Sequence, residues 1–317
     1  MRRATIISLL LFFSTSTLVI AQEITIRGKV IDAETEQPLG YAHLILKELD
    51  LGTSTDFAGI YRLKLPEKFL GEKVQVSYVG YKKKIVKVEE LQNGLIALTP
   101  DVEFLNEVNI VNMLHETRKV IRPDWSRKIV GLGNLNGGLY PSILARYYER
   151  PERFDGNCFI EKIKIYFFET AEQYSLSPKF RLHIYDVDPF GEPGKELLNN
   201  RIVEKPSGRS AVEVNLLSER IQINKDGFFV GVEHLFIPEN KYNEVTNFFI
   251  NDSLIAKEYA VEKYGPIYRG TLKKRKKNIK MYYYRPEGWT RIENWNLLDE
   301  FFDNRIPSLI FKIALTD

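Results

Sequence analysis

The chain has 317 residues, 44% hydrophobic and 12% aromatic, which is enough apolar material for a sizeable core in one or two domains. Its 45 Lys and Arg against 42 Asp and Glu leave a formal charge of +3, too even a balance to mark a nucleic-acid or anionic-membrane partner. The single cysteine, Cys158, excludes an internal disulfide and a multi-cysteine zinc site, so core packing must hold the fold.

Arg2 and Arg3 precede an apolar stretch from Ile6 to Ile20 that ends at Ala21, the order of a secretory signal peptide cleaved after residue 21. The apolar stretch is shorter than the roughly 20 residues a spanning helix needs, and no transmembrane segment is expected in the mature chain. Without residues 1–21 the charged residues number 43 against 42, a net +1. The expectation is export, to the periplasm, the outer membrane or the cell surface of a Gram-negative bacterium.

Residues 22–100 carry a period of two. Ile24, Ile26, Gly28 and Val30 fall on one face of a strand, and Glu23, Thr25, Arg27 and Lys29 on the other. Asp32 to Gly40 is a polar loop and Tyr41 to Leu46 a second strand. Asp56-Phe57-Ala58-Gly59 suits a type I turn into a strand with Tyr61, Leu63 and Leu65 on one face. Val74, Val76 and Tyr78, then Ile85 to Val88 and Leu95 to Leu98, supply the remaining strands of a small antiparallel sandwich.

The same residues resemble the carboxypeptidase regulatory-like domain. The likeness rests on Gly28-Lys29-Val30-Ile31-Asp32, Thr35 with Gln37-Pro38-Leu39, Tyr41-Ala42, Thr53 to Tyr61, and Ser77-Tyr78-Val79-Gly80-Tyr81-Lys82. It implies a transthyretin-like sandwich of about seven strands that is not itself catalytic, found beside zinc peptidase domains and at the front of TonB-dependent outer-membrane receptors. Leu105-Asn106-Glu107-Val108 is similar to the segment leading into a receptor plug, but no glycine-rich plug sequence follows. The rest of the chain is too short for a transporter barrel of about 22 strands.

Residues 101–126 read as a linker with one helical turn around Leu114 to Ile121, and 127–317 as a second, larger β-sandwich similar to jelly rolls. Its strands are expected at Phe159 to Phe168, Phe180 to Tyr185, Val212 to Leu216, Phe228 to Ile237 and Ile306 to Leu315. Pro307 there suits a strand start or an edge. Glu244 to Lys263 is open between strand and helix. The fold class is therefore all-β throughout.

Chemistry is sparse. His43, His115, His183 and His234 fall in no zinc-peptidase pattern, and those at 43, 183 and 234 lie inside strands, where a hydrogen-bonded imidazole is ordinary. No nucleophile elbow appears, and Cys158 beside Phe159 reads as a buried thiol. Asp186, Asp188 and Glu192 place three carboxylates in one loop, a calcium candidate set against a plain solvated turn. Lys273, Lys274, Arg275, Lys276 and Lys277, with Tyr282, Trp289 and Trp295 close behind, form a candidate basic-aromatic binding face for a glycan, set against a hairpin loop followed by core aromatics.

The expectation is a non-catalytic, cofactor-free envelope or surface protein that binds a glycan or scaffolds a partner protein. Two alternatives stand beside it: a hydrolase of glycans or peptides with an unrecognised C-terminal site, and an accessory partner of a TonB-dependent uptake system.

Overall fold

The computed structural model describes residues 23–92, 94–101, 113–134, 139–250, 253–274, 279–285, 287–294 and 302–317. The expected leader and the Leu105 to Val108 segment lie outside them. The chain is all-β, and helical segments among the described residues are single turns such as Ala171–Tyr174.

Seven strands make the N-terminal sandwich: β1 Glu23–Asp32, β2 His43–Leu46, β3 Leu51–Ser54, β4 Ile60–Pro66, β5 Lys73–Ser77, β6 Lys84–Lys87 and β7 Leu95–Leu98. One sheet has the order β4-β1-β7, with β7 parallel to β1, and the other the order β3-β2-β5-β6. The period of two decides what each face does. Ile26, Val30, Tyr61, Leu63 and Leu65 point inward from the first sheet against Leu44, Leu46, Val74 and Val76 of the second. Each fully buried side chain of this size contributes about 2 kcal/mol of apolar transfer. The expected turn is present: Asp56 Oδ1 accepts the N–H groups of Ala58 and Ile60, each at 2.9 Å, and Gly59 takes φ +75.

Among the described residues sixteen further strands follow: β8 Arg118–Ile121, β9 Ile129–Leu132, β10 Ile143–Tyr148, β11 Phe159–Tyr166, β12 Lys179–Val187, β13 Pro193–Glu196, β14 Arg201–Glu204, β15 Ala211–Asn215, β16 Phe228–His234, β17 Lys241–Ile250, β18 Ser253–Tyr264, β19 Tyr268–Lys273, β20 Met281–Arg285, β21 Gly288–Arg291, β22 Ile306–Leu309 and β23 Phe311–Thr316. The large sheet runs β13-β12-β16-β10-β20-β21, with β14 also on β12. Facing it are β15-β11-β23-β8 and β22-β19-β9, linked by a bridge between Phe167 and Tyr268. Phe180, Leu182, Ile184, Phe228, Val230 and Val232 of the large sheet pack on Ile163, Ile165, Ile313 and Leu315 of the opposite layer.

One expectation is corrected and one open segment is settled. The helical turn within 101–126 is absent among the described residues: 118–121 is β8, paired antiparallel with β23 from Ile313↔Ile121 to Thr316↔Arg118. Four residues ending in β-branched Val120 and Ile121 complete an existing edge more readily than they nucleate a helix. The open segment after Glu244 is the hairpin β17-β18, and ion pairs of Lys241 with Glu262 and of Lys263 with Glu244 tie its base.

Candidate functional site

Inside the large sheet two charged residues interrupt apolar strands. Arg181 lies between Phe180 and Leu182, so alternation sends its side chain to the face away from the core, and Glu233 stands directly opposite it on β16. Both are buried, Arg181 to 1% exposure. The N-terminal sandwich lies against that face.

Every guanidinium nitrogen of Arg181 has a partner. Nη1 pairs with Glu233 Oε2, Nε donates to Asn200 Oδ1 at 2.9 Å, and Nη2 donates to the Tyr41 carbonyl of the N-terminal sandwich at 2.8 Å. Glu233 Oε1 meets His43 Nε2 of β2 at 2.7 Å, and His43 Nδ1 faces Ser54 Oγ at 3.0 Å. Ser54 Oγ accepts the Phe236 N–H at 2.9 Å. His183 Nδ1 lies 2.6 Å from Glu196 Oε1, and its Nε2 lies 3.4 Å from Glu233 Oε2. Asn200 Nδ2 donates to the Tyr78 hydroxyl, so the Ser77 to Lys82 motif reaches the second sandwich through its tyrosine. Tyr41, Leu235 and Ile237 add an apolar patch to the same seam.

The electrostatics follow from this packing. Burial alone would raise the Glu233 pKa, but Arg181, His43 and His183 outweigh it and hold the carboxyl well below its ordinary range. Burial likewise works against a charged His183, yet the Glu196 and Glu233 carboxylates prevail and raise it to about 9. His234, the next residue on β16, points to the other face, where burial lowers it to about 4 and its Nε2 lies 3.1 Å from the Pro266 carbonyl. The structure thus brings His43 and His183 to one carboxylate and leaves His234 apart. Among the described residues no group of three or more His, Cys, Asp and Glu is arranged to hold a metal ion.

A cleft of about 620 Å³ opens at the same seam. Thr25, Arg27, Arg62 and Lys64 form one wall, from the outer face of β1 and β4; Lys241, Glu262 and Tyr264 from the hairpin base form the other. The Tyr264 ring stacks on Phe236 with centroids 4.1 Å apart.

The sequence candidates fall elsewhere. Asp188 Oδ1 accepts the N–H groups of Phe190 and Glu192 at 2.9 and 2.8 Å, and Asp186 Oδ1 that of Lys195 at 2.5 Å, so two of the three calcium-candidate carboxylates fasten their own loop. The basic-aromatic face is corrected at two of its members. Lys273, 6% exposed at the end of β19, pairs with Asp124 Oδ2 at 2.7 Å, and Tyr282, 3% exposed, packs with Ala145, Tyr185 and Phe229. Both fall on strands, where packing takes up the lysine stem and the ring. Trp289 is half-buried, edge-on to Tyr185 and Tyr284, while Lys274 is exposed. Arg275, Lys276, Lys277 and Trp295 lie outside the described residues. Cys158 is buried, and burial pushes its thiol up to about 12.

Arg181, Glu233 and Glu196 were not singled out from the sequence. The signal for the first two was present, a charge inside an otherwise apolar strand, since such residues are almost never fully buried unless paired.

Comparison with known proteins identifies the N-terminal sandwich. Residues 26–110 match the family model of the CarboxypepD_reg-like domain. The chain is also similar to the TonB-dependent receptor SusC of Bacteroides thetaiotaomicron, with 34% identity over 91 residues that cover 29% of this chain and 8% of that receptor. The chain thus spans a small fraction of the receptor's length. The matched domain is regulatory-like and not catalytic, and the likeness to a receptor that carries it fits an envelope protein.

Proposed function

We propose that this chain is an exported envelope protein with a binding or scaffolding role, acting as an accessory partner of a TonB-dependent uptake system. The observation that carries this reading is the seam. The carboxypeptidase regulatory-like sandwich is fastened to a larger sandwich by buried hydrogen bonds, from Arg181 to the Tyr41 carbonyl and between His43 and Glu233, and the joint leaves an open cationic cleft. Detergent-solubilised envelopes containing a tagged chain test it. Enrichment of a TonB-dependent receptor over a tag-only control is the expected result, and recovery of the chain without one contradicts the partnership.

A hydrolase reading has one observation in its favour. Ser54, His43 and Glu233 stand in a row at 3.0 and 2.7 Å, the residue types and spacing of a nucleophile, a base and its orienting carboxylate. Against it, Ser54 is 3% exposed and its Oγ already accepts a backbone N–H. Treatment with a fluorophosphonate decides: labelling of Ser54 supports the hydrolase, and an unlabelled chain supports binding.

A further inference from the structure

The two edge strands that face the cleft are treated differently. β3 is sealed, because its Gly52 N–H donates to the Leu139 carbonyl at 2.9 Å and its Ser54 N–H to the Phe236 carbonyl at 3.2 Å. β4, the other edge, pairs among the described residues only with β1. Val30 N–H bonds the Gly59 carbonyl, which sets the phase of the β1-β4 ladder: Tyr61, Leu63 and Leu65 turn their backbone groups toward β1, and Ile60, Arg62 and Lys64 turn theirs outward. Ile60 spends both of its groups on Asp56, through its N–H to Oδ1 and its carbonyl to the Asp56 N–H. The N–H and C=O groups of Arg62 and Lys64 bond no described residue, and both residues line the cleft.

The side chains above this edge are mostly cationic, with Glu23 at the far end of the same face and Glu262 paired to Lys241 across the cleft. Arg27 stands directly across from Arg62 and Thr25 across from Lys64, while Lys29 follows on the same face. Like charges directly opposite each other on a sheet are destabilising. Arg62 has one distant carboxylate, Asp56 at 3.7 Å, and neither Arg27 nor Lys64 forms an ion pair with a described residue. A free edge gives an extended chain its main-chain bonds, and residues paired across a ladder present their side chains on the same face.

We propose that the cleft takes an extended acidic peptide segment of a partner protein, added as a strand to the free edge of β4. Carboxylates at alternate positions of the segment meet Arg62, Lys64 and Arg27. This names a partner chemistry for the binding role above and rests on that reading. It is tested on the purified chain alone, so its failure is distinct from failure of the envelope association.

The probe is a fluorescent synthetic peptide, Thr-Glu-Val-Glu-Val-Glu-Thr, followed by anisotropy. Binding is expected, together with slowed amide exchange at Arg62 and Lys64. Arg62→Glu combined with Lys64→Glu, both exposed changes checked by a melting midpoint that does not fall, is expected to weaken binding roughly tenfold or more. The same peptide N-methylated on alternate residues along the edge that faces β4 is expected not to bind. Equal binding of the methylated peptide, or full displacement by heparin without dependence on the peptide's charge spacing, overturns strand addition. No binding at all overturns the proposal outright and leaves the cations as guards against edge-to-edge pairing.

Discussion

A guanidinium taken out of water costs several kcal/mol unless its N–H groups find acceptors, and Arg181 finds Glu233, Asn200 and the Tyr41 carbonyl. Glu233→Gln removes the charge that Arg181, His43 and His183 share, and about 3 kcal/mol of stability is expected to go with it in urea unfolding. The imidazoles predict a pH profile. His183 has its folded pKa raised to about 9 from 6.5, so its contribution is full below pH 6.5 and is lost as pH rises toward 9. His234 is lowered to about 4 from 6.5, so stability falls as pH drops through that interval, and the depressed Glu233 carboxyl adds a further loss at lower pH. Melting midpoints across pH 4 to 9 are therefore expected to peak near 6.5, and His183→Gln is expected to flatten the alkaline limb. A midpoint still rising at pH 9 in the unsubstituted chain refutes the His183 assignment. The sequence shows that Arg181 and Glu233 are anomalous but not that they meet, because a separation of 52 residues becomes contact only through the β12-β16 register.

At the scale of the strand, alternation was legible wherever one face is buried and the other wet. β1 and β4 follow their sequence pattern, and Gly28 shows how tightly they close: a Cβ there would lie 2.1 Å from the Tyr61 hydroxyl oxygen and 2.5 Å from the Gly94 carbonyl. That hydroxyl donates to the Leu91 carbonyl at 2.6 Å and cannot retreat without losing the bond. Gly28→Ala is therefore expected to cost about 2 kcal/mol, read as a lowered urea midpoint at unchanged slope. A neutral outcome would mean that the β1-β4 ladder slides to make room. β8 was not legible, because four residues carry too little periodicity to separate a strand from a turn, and pairing with β23 and the Arg118–Glu161 ion pair at 2.6 Å settle it. The hairpin β17-β18 escaped for a related reason: cross-strand ion pairs tie its base, and such partners cannot be counted along one strand.

At the scale of the molecule, two apolar cores with no shared members, one built from residues of the N-terminal sandwich and one from the rest, are joined by a seam of largely buried hydrogen bonds: His43 to Glu233, Arg181 to the Tyr41 carbonyl, Asn200 to Tyr78 and Phe236 to Ser54. The all-β class was legible throughout, from strand periodicity and the spacing of turns. The seam was not, because the residues that build it are distributed over β2, β3, β12, β13 and β16, and nothing along any one strand shows which of them meet. Glu233 reaches the N-terminal sandwich through His43 and holds Arg181 and His183 on its own side of the seam. Differential scanning calorimetry of the chain and of its Glu233→Gln variant tests this most directly. One cooperative transition in the unsubstituted chain that splits into two in the variant is the expected result. Two separate transitions already present in the unsubstituted chain, unchanged by the substitution, would show that the Glu233 contacts do not hold the sandwiches together.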